Sequence, residues 1–417
     1  MPAIKTIPKT DLDVFVEIMA DAYPGLKIDK PEERRRVVAR MTRRFEDPRL
    51  RPIGLYEGTD MVGAMALWDF TINLFGDSAL AGGGGMLGVR LVDKKKQVAK
   101  RLVQYYFNHY RRRRSPLAVL WPFRHDFYRR MGAGYGAPAY LYEFAPGHLP
   151  RPQRLENVRN LTDGDIEAVR QCYNRWVRNT HGAIEEPREG WHISNELNTP
   201  KRVGYVENDR ILGYLSYRFA ANDPSDFLNN SLEVQDLIYE TPKALQQLLG
   251  FLAVQLDQFR TIRLLTYDQN FYMLLRDPRL PNQRQPRPVY HESHTGMLGL
   301  MYRVIDVERF FEATSGRNFN RVSMNVGFNV RDSFLRANSG RRVVEFSRGR
   351  AILRGKGKKV DLDISLDIGD FSGLIVGACD FRSLWEYGLI EVSDRAYVDR
   401  LEKLFEVKRA PVCVTPF

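Results

Sequence analysis

Apolar residues recur along the chain at two alternating spacings, and the order in which the spacings follow one another repeats. Val14, Phe15, Ile18 and Met19 fall at helical intervals. They follow Thr10-Asp11-Leu12-Asp13, a polar start of the kind that caps helices, and the strand-like Lys5-Thr6-Ile7-Pro8 precedes it. A strand, a threonine cap at Thr10 and an amphipathic helix are therefore predicted. The same sequence of features returns in Asn157-Val158-Arg159-Asn160-Leu161, then Thr162-Asp163-Gly164-Asp165, then Ile166, Val169 and Cys172. A second correspondence joins Ile53-Gly54 through Gly63-Ala64 to Val203-Gly204 through Gly213-Tyr214, each copy reading as strand, tight turn and strand. Glycines 54 and 63 and Glu57 match Gly204, Gly213 and Glu207 at one constant offset of 150 residues. Several matches in one order at one spacing point to two related α/β domains in tandem.

The proline-rich stretch Pro146 to Pro152 reads as the linker between them. A third domain, of α+β type, is predicted from Met301: Tyr302 to Asp306 gives a strand and cap, Val307 to Phe311 a helix, and Val322–Val330 and Val360–Leu366 alternate as strands. The expected domains are thus residues 1–148, 153–300 and 301–417.

The clearest chemical element lies in the first copy. Met86 to Val92 forms a short predicted strand, Asp93-Lys94-Lys95-Lys96-Gln97 a basic loop, and Val98, Leu102, Val103, Tyr106 and Phe107 mark a helix. Free amides on a first helical turn, the helix dipole and nearby lysines make an anion site suited to a pyrophosphate. Gly82-Gly83-Gly84-Gly85, just upstream, reads as a flexible hairpin beside the strand rather than a phosphate cradle.

Composition narrows the classes. Of 417 residues 43% are hydrophobic and 12% aromatic, as in ordinary globular proteins, and the length calls for two or three cores. No signal-peptide-like start and no apolar run long enough to span a bilayer is present, so a cytoplasmic protein without a membrane role is expected. Three distant cysteines, Cys172, Cys379 and Cys413, fit reduced thiols, and no metal site is expected. The net charge of +12 calls for an acidic partner. It concentrates at Lys94–Lys96 with Lys100 and Arg101, and at Arg111–Arg114, which serves equally well as a solvated face or a phosphate contact. Arg34–Arg36 and Arg43-Arg44 would serve a nucleic-acid binder, but no nucleic-acid-binding motif accompanies them.

The loop Lys94-Lys95-Lys96-Gln97-Val98-Ala99 resembles the Arg/Gln-x-x-Gly-x-Gly/Ala pattern of the GNAT superfamily, with lysine first and Gln97 in place of glycine. The stretch Pro116 to Gly136, with Tyr128-Arg-Arg-Met-Gly132-Ala-Gly134, closely resembles the corresponding segment of the Eis (enhanced intracellular survival) family. In the second copy Glu240-Thr-Pro-Lys243 stands in the loop's place and Phe271-Tyr272 echoes Phe127-Tyr128. The resemblance implies a GNAT domain, a second, degenerate GNAT domain and a sterol-carrier-protein-like domain, with acetyl-CoA as co-substrate and an N-acetyltransferase activity.

It further implies roles for particular residues. Leu87, Gly88 and Val89 lie on the strand that pairs with pantetheine, Val89 facing the thioester oxygen, and Lys94, Lys95, Lys96, Gln97, Val98 and Ala99 form the pyrophosphate loop. Tyr128 would be the general acid and the carboxylate of Phe417 the base. Tyr23, Met86, Trp121 and Phe123 are expected to line the pocket of an amine acceptor, with core packing an equal reading of each. Family aminoglycoside acetylators carry acids that are replaced here by Pro416 and by the acid-free Tyr23–Leu26, so a less charged small amine or a protein lysine is as good a candidate as an aminoglycoside. A homo-oligomer, a hexamer, is the implied assembly. The competing expectation is a non-catalytic protein that binds an apolar ligand in its third domain and has lost CoA through Gln97.

Overall fold

The computed structural model describes residues 2–186, 200–223, 225–226, 229–282, 285, 287–355 and 357–417. The chain packs as two compact units, one of Met1–Gly136, Leu300–Pro411 and Pro416–Phe417, the other of Ala137–Gly299 and Val412–Thr415. Among the described residues the strands form three sheets.

In the first unit β1 (Ala3–Thr6), β2 (Leu50–Glu57), β3 (Asp60–Leu74), β4 (Asp77–Val89) and β5 (Leu117–Leu120) lie side by side in chain order. The sheet is completed by the strands Met301–Val304 and Gly134–Tyr135. Pairing is antiparallel except between β4 and β5, which run parallel. Strand alternation sends side chains to both faces. Ile53, Leu55, Val62 and Leu67 pack with Val98, Leu102, Val103, Tyr106 and Phe107 of α3 (Val98–Arg112). Tyr56, Met61 and Ala64 face Phe15, Val16, Ile18 and Met19 of α1 (Leu12–Ala22), with α2 (Pro31–Arg44) beside it.

Two sequence expectations are corrected here. Thr10 does not cap α1: a 3-10 turn, Lys9–Asp11, precedes the helix, and the Thr10 hydroxyl donates to the Asp11 carboxylate at 3.0 Å. In the second copy Thr162 does make the capping box, with Asp165, because there the side chain bonds the third residue on. The four glycines are not a hairpin but the middle of β4. A Cβ on Gly82 would lie 2.2 Å from the Tyr110 ring, one on Gly83 2.2 Å from Phe70 and one on Gly84 2.6 Å from Tyr106, so aromatic rings lie flat on a backbone that admits no side chains.

The first unit also holds a five-stranded sheet, Arg350–Arg354, Gly340–Ser347, Met324–Arg331, Leu362–Asp367 and Ile390–Val392 in that order. Asp306 caps the helix Val307–Ala313 by accepting from the Arg309 amide, as expected. Arg303, on the strand Met301–Val304, and Asp332, just past this sheet's central strand, form an ion pair at 2.6 Å with neither side chain exposed. The other Asp332 oxygen accepts the amides of Phe334 and Leu335, and Asn338 bonds the Val304 carbonyl. Burial pulls the Arg303 pKa down and Asp332 opposes that pull, so removing the acid strands a charge. Asp332→Ala is expected to cost about 3–5 kcal/mol in denaturant unfolding. A loss below about 0.5 kcal/mol, the range of ordinary surface changes, would contradict this account of the pair.

The second unit repeats the first sheet's plan: Val158–Leu161, Lys201–Glu207, Arg210–Ala221, Asn230–Tyr239 and Thr261–Thr266 are consecutive neighbours, the last two parallel. Ala139–Phe144 and Thr295–Met297 finish it. Ala139–Phe144 and Met301–Val304 therefore hold mirrored places: the strand that follows the first copy's sequence lies in the second unit's sheet, and the strand that follows the second copy's lies in the first's.

Candidate active site

The site begins where two parallel strands part. β4 and β5 pair from Ala81 and Leu117 to Gly84 and Leu120, and there β5 ends while β4 runs on to Val89. From Gly85 onward β4 has no strand partner on the β5 side among the described residues. On its other side Ala64 pairs with Gly88 and Ala66 with Gly85, so β4 holds one extra residue, a bulge. Met86 sits there with φ +48°, a left-handed conformation that a non-glycine residue adopts only when its surroundings hold it. The bulge re-aims the strand end and leaves backbone donors and acceptors for an extended amide-bearing ligand, as an added strand would use them. Just before the parting the Tyr106 hydroxyl lies 2.7 Å from the Gly82 carbonyl and 2.8 Å from that of Val119, tying the strands together.

α1 closes one wall. A Cβ on Gly88 would lie 2.5 Å from Met19 Cε and 3.0 Å from the Ile18 carbonyl, so only glycine permits the crossing. The Tyr23 hydroxyl donates to the Leu87 carbonyl at 3.3 Å, and its ring meets Phe123 edge-on at 6.2 Å. Phe123 is 65% exposed, and Met86 packs into the α1 cluster.

Beyond β4, Leu91–Asp93 makes a 3-10 turn and the lysine loop follows. Asp93, missed in the sequence reading, organises it: buried, it accepts from Arg90 Nε at 2.7 Å and Lys96 Nζ at 2.8 Å, and these two cations hold its carboxyl below the usual range, Lys96 most. Lys94 and Lys95 stay exposed. Gln97 takes φ +62° and ψ 13°, a left-handed geometry that favours glycine, and no side chain caps α3. The amides of Val98, Ala99 and Lys100 occupy the helical first turn, where none has an intrahelical acceptor.

Tyr128, on α4 (His125–Arg129), packs in the same cluster as Leu87 and Val89. It is 4% exposed, and its hydroxyl has no hydrogen-bond partner among the described residues. Burial first, then the nearby Tyr23, raises its pKa well above the ordinary phenol value, so it stays protonated at neutral pH. Met131 and Ala133 donate their amides to its carbonyl and fix the turn that carries it.

An aromatic group gathers around Phe417: Phe70 at 4.7 Å, Trp68 at 5.8 Å and Trp121 at 6.4 Å between ring centroids. Trp68 and Phe70 were not singled out from sequence, although their i, i+2 spacing on one strand was the signal. The Phe417 main-chain oxygen would lie 3.4 Å from a Cβ on Gly85, the residue at which β4 loses its partner.

The matching place in the second unit is filled from within. Glu240, before the helix Pro242–Ala253, is gripped by Arg175 at 2.7 Å and Arg210 at 3.1 Å. Thr241 caps that helix by accepting from Ala244, and Pro242 removes one of its first amides. Carboxylate, cap and proline together leave an incoming anion little to bind.

Known families match the chain in three stretches. Residues 3–136 match a family model for an acetyltransferase (GNAT) domain, residues 179–304 a second GNAT model, and residues 307–414 a sterol carrier protein domain. Eis1 from Mycobacterium abscessus has the same fold from end to end, with a TM-score of 0.77, 17% identity and 100% of both chains covered. The chain is thus an acyltransferase built of two GNAT domains and a sterol carrier protein domain. A GCN5-related N-acetyltransferase from Anabaena variabilis (TM-score 0.82, 15% identity) and a probable N-acyltransferase from Enterococcus faecalis (0.79, 17%) are likewise similar over 100% of both chains. Identities this low speak for the fold alone. No curated protein matches the sequence. Among the described residues of this GNAT protein no cluster of metal ligands occurs, and no helix is long and apolar enough to cross a membrane.

Proposed function

We propose that this acetyltransferase moves an acetyl group from acetyl-CoA to a primary amine, with residues 1–148 as the catalytic domain, residues 153–300 as its degenerate copy and residues 301–417 as the sterol-carrier-like domain, save that the strand Ala139–Phe144 serves the degenerate copy's sheet and Met301–Val304 the catalytic one's. The observation that carries the reading is the unpaired edge of β4 from Gly85 to Val89, flanked by an uncapped helix start and by the unpartnered hydroxyl of Tyr128.

Leu87, Gly88 and Val89 would align the donor's amide-bearing arm, and Val89 would donate its amide to the thioester oxygen as negative charge grows there. Lys94, Lys95, Lys96, Gln97, Val98 and Ala99 hold the pyrophosphate. Lys96 acts through Asp93, while Lys94 and Lys95 supply free charge. The amine attacks the carbonyl carbon, the C–S bond breaks, and Tyr128 gives its proton to the departing sulfur. The Phe417 carboxylate, where that residue ends the chain, would take the proton the amine loses. Tyr23, Met86, Trp121 and Phe123 would shape the acceptor's apolar surroundings, joined by Trp68 and Phe70. An uncharged or singly charged amine suits such walls, though an aminoglycoside or a protein lysine belongs to the same reaction class. A cytoplasmic hexamer is the assembly that the Eis-like resemblance supports.

Calorimetric titration with acetyl-CoA tests the reading. Replacing Lys94, Lys95 and Lys96 by alanine should weaken binding by about tenfold or more, since each charge-assisted contact is worth roughly 1.5–3 kcal/mol. Gln97→Gly should tighten it by opening the backbone to the phosphates, with little change in melting because relieved strain and added chain entropy offset each other. Affinity unchanged in both variants would place the donor elsewhere.

A further inference from the structure

The cluster Arg111–Arg114 is not used by the reaction above, and its first member faces a cleft. Lys100, Gln104, Asn108 and Arg111 form one stripe along α3, at i, i+4, i+8 and i+11. With Phe334 and Arg336 from across the gap they line a cleft of about 360 Å³, within the size range of small-molecule sites. Everything that lines it belongs to the first unit.

Its chemistry is one-sided. Three of the lining residues are cations and none is acidic. Lys100 and Arg336 make no ion pair among the described residues. Arg111 reaches the Asp306 carboxylate only at 3.8 Å, and its Nε is buried without a hydrogen-bond partner. Gln104 and Asn108 add neutral donors, and the Phe334 ring, edge-on to Phe107 at 5.8 Å, gives an apolar wall.

The far wall is rigid. Arg336 and Phe334 stand on the turn held by the buried Arg303–Asp332 pair and by Asn338, whose side chain also accepts the Val307 amide at 3.0 Å. A surface turn braced by a fully buried ion pair holds Arg336 opposite Lys100 and Arg111 before any ligand arrives. Like charges so fixed repel one another until an anion sits between them.

We propose that this cleft binds a phosphomonoester carried on an organic body of nucleoside size, with Arg336 and Arg111 gripping the phosphate and Phe334 packing on the body. Two sources offer that chemistry. Lys100 lies in the first turn of α3, so the ribose phosphate of CoA is one, and a free phosphorylated metabolite is the other. The site stands on its own lining residues and does not depend on the acetyl-transfer reading.

The test is equilibrium binding of adenosine 3′,5′-bisphosphate to the full chain, measured for wild type, Arg336→Ala, Arg111→Gln and Arg395→Ala. Arg395, exposed and not among the residues that line the cleft, controls for net charge. Loss of about 10- to 100-fold in the first two variants and none in the third is expected. If Arg336→Ala also weakens CoA but not dephospho-CoA, the phosphate is the donor's own. If wild type binds CoA and dephospho-CoA alike and still takes the bisphosphate when saturated with CoA, the ligand is a separate metabolite. Either result supports the site. Absent bisphosphate binding, or binding equal in wild type and both cleft variants, overturns it. Because the lysine loop is tested by acetyl-CoA itself, failure there and failure here are told apart.

Discussion

Replacing Tyr128 by phenylalanine is expected to lower kcat by about 10²–10⁴-fold while acetyl-CoA affinity stays near that of wild type. The substitution removes one oxygen and keeps the ring. Because the ring packs beside Leu87 and Val89 and the hydroxyl bonds nothing among the described residues, neither the cluster nor any hydrogen bond is lost with it. Burial of the ring keeps the phenol protonated, and its proton is committed to no neighbour among the described residues. Its use is to protonate a thiolate that appears only during the reaction. Stability of the variant should equal or exceed that of wild type, which separates a catalytic loss from a folding one. A variant as fast as wild type would make Tyr128 a packing residue.

The second large effect concerns Phe417. One glycine added after it turns the carboxylate into an amide, which cannot accept a proton at neutral pH. Turnover should then fall by about 10²–10⁴-fold if that group is the base. Phe417→Leu keeps the carboxylate and part of the contact with Phe70, Trp68 and Trp121, and should retain more activity than the extended chain. Gly85→Ala probes the same point from the strand, since its Cβ would approach the Phe417 oxygen and lie 3.2 Å from Trp68. Melting temperatures of all three should be compared with wild type. Full turnover by a stably folded, extended chain would leave the base unassigned.

How far sequence carried the fold depended on whether local spacing or distant packing decided each feature. The tandem copies were legible because both keep the same turns and helix starts, and Asp306 was legible because a cap acts within three residues. Thr10 misled because both copies enter the helix through a 3-10 turn, but the first copy's turn starts at Lys9 and takes Thr10 inside it, whereas the second copy's starts at Asp163 and leaves Thr162 at the cap. The glycine run misled because its cause is remote: Tyr110, Phe70 and Tyr106 arrive from other elements. The exchange of Ala139–Phe144 and Met301–Val304 left no trace in periodicity, since a strand's alternation does not name its neighbour.

In the site the lysines and Tyr128 were visible as motif positions, whereas their supports were not. Asp93 reads as one acid in a basic run until it is seen buried beneath Arg90 and Lys96. Gln97 looked like a lost glycine, but backbone angles decide that matter and the chain pays strain to keep them. The Met86 bulge, which frees the strand edge, depends on pairing with β3 and has no local signature.

The most direct measurement of the central claim is release of free thiol from acetyl-CoA by the wild-type protein across a panel of primary amines, with the products checked by mass spectrometry. The account expects thiol release that requires an amine, equals the N-acetylated product in amount and disappears in Tyr128→Phe. Thiol release that no amine increases, or none at all with a donor that binds, would contradict it.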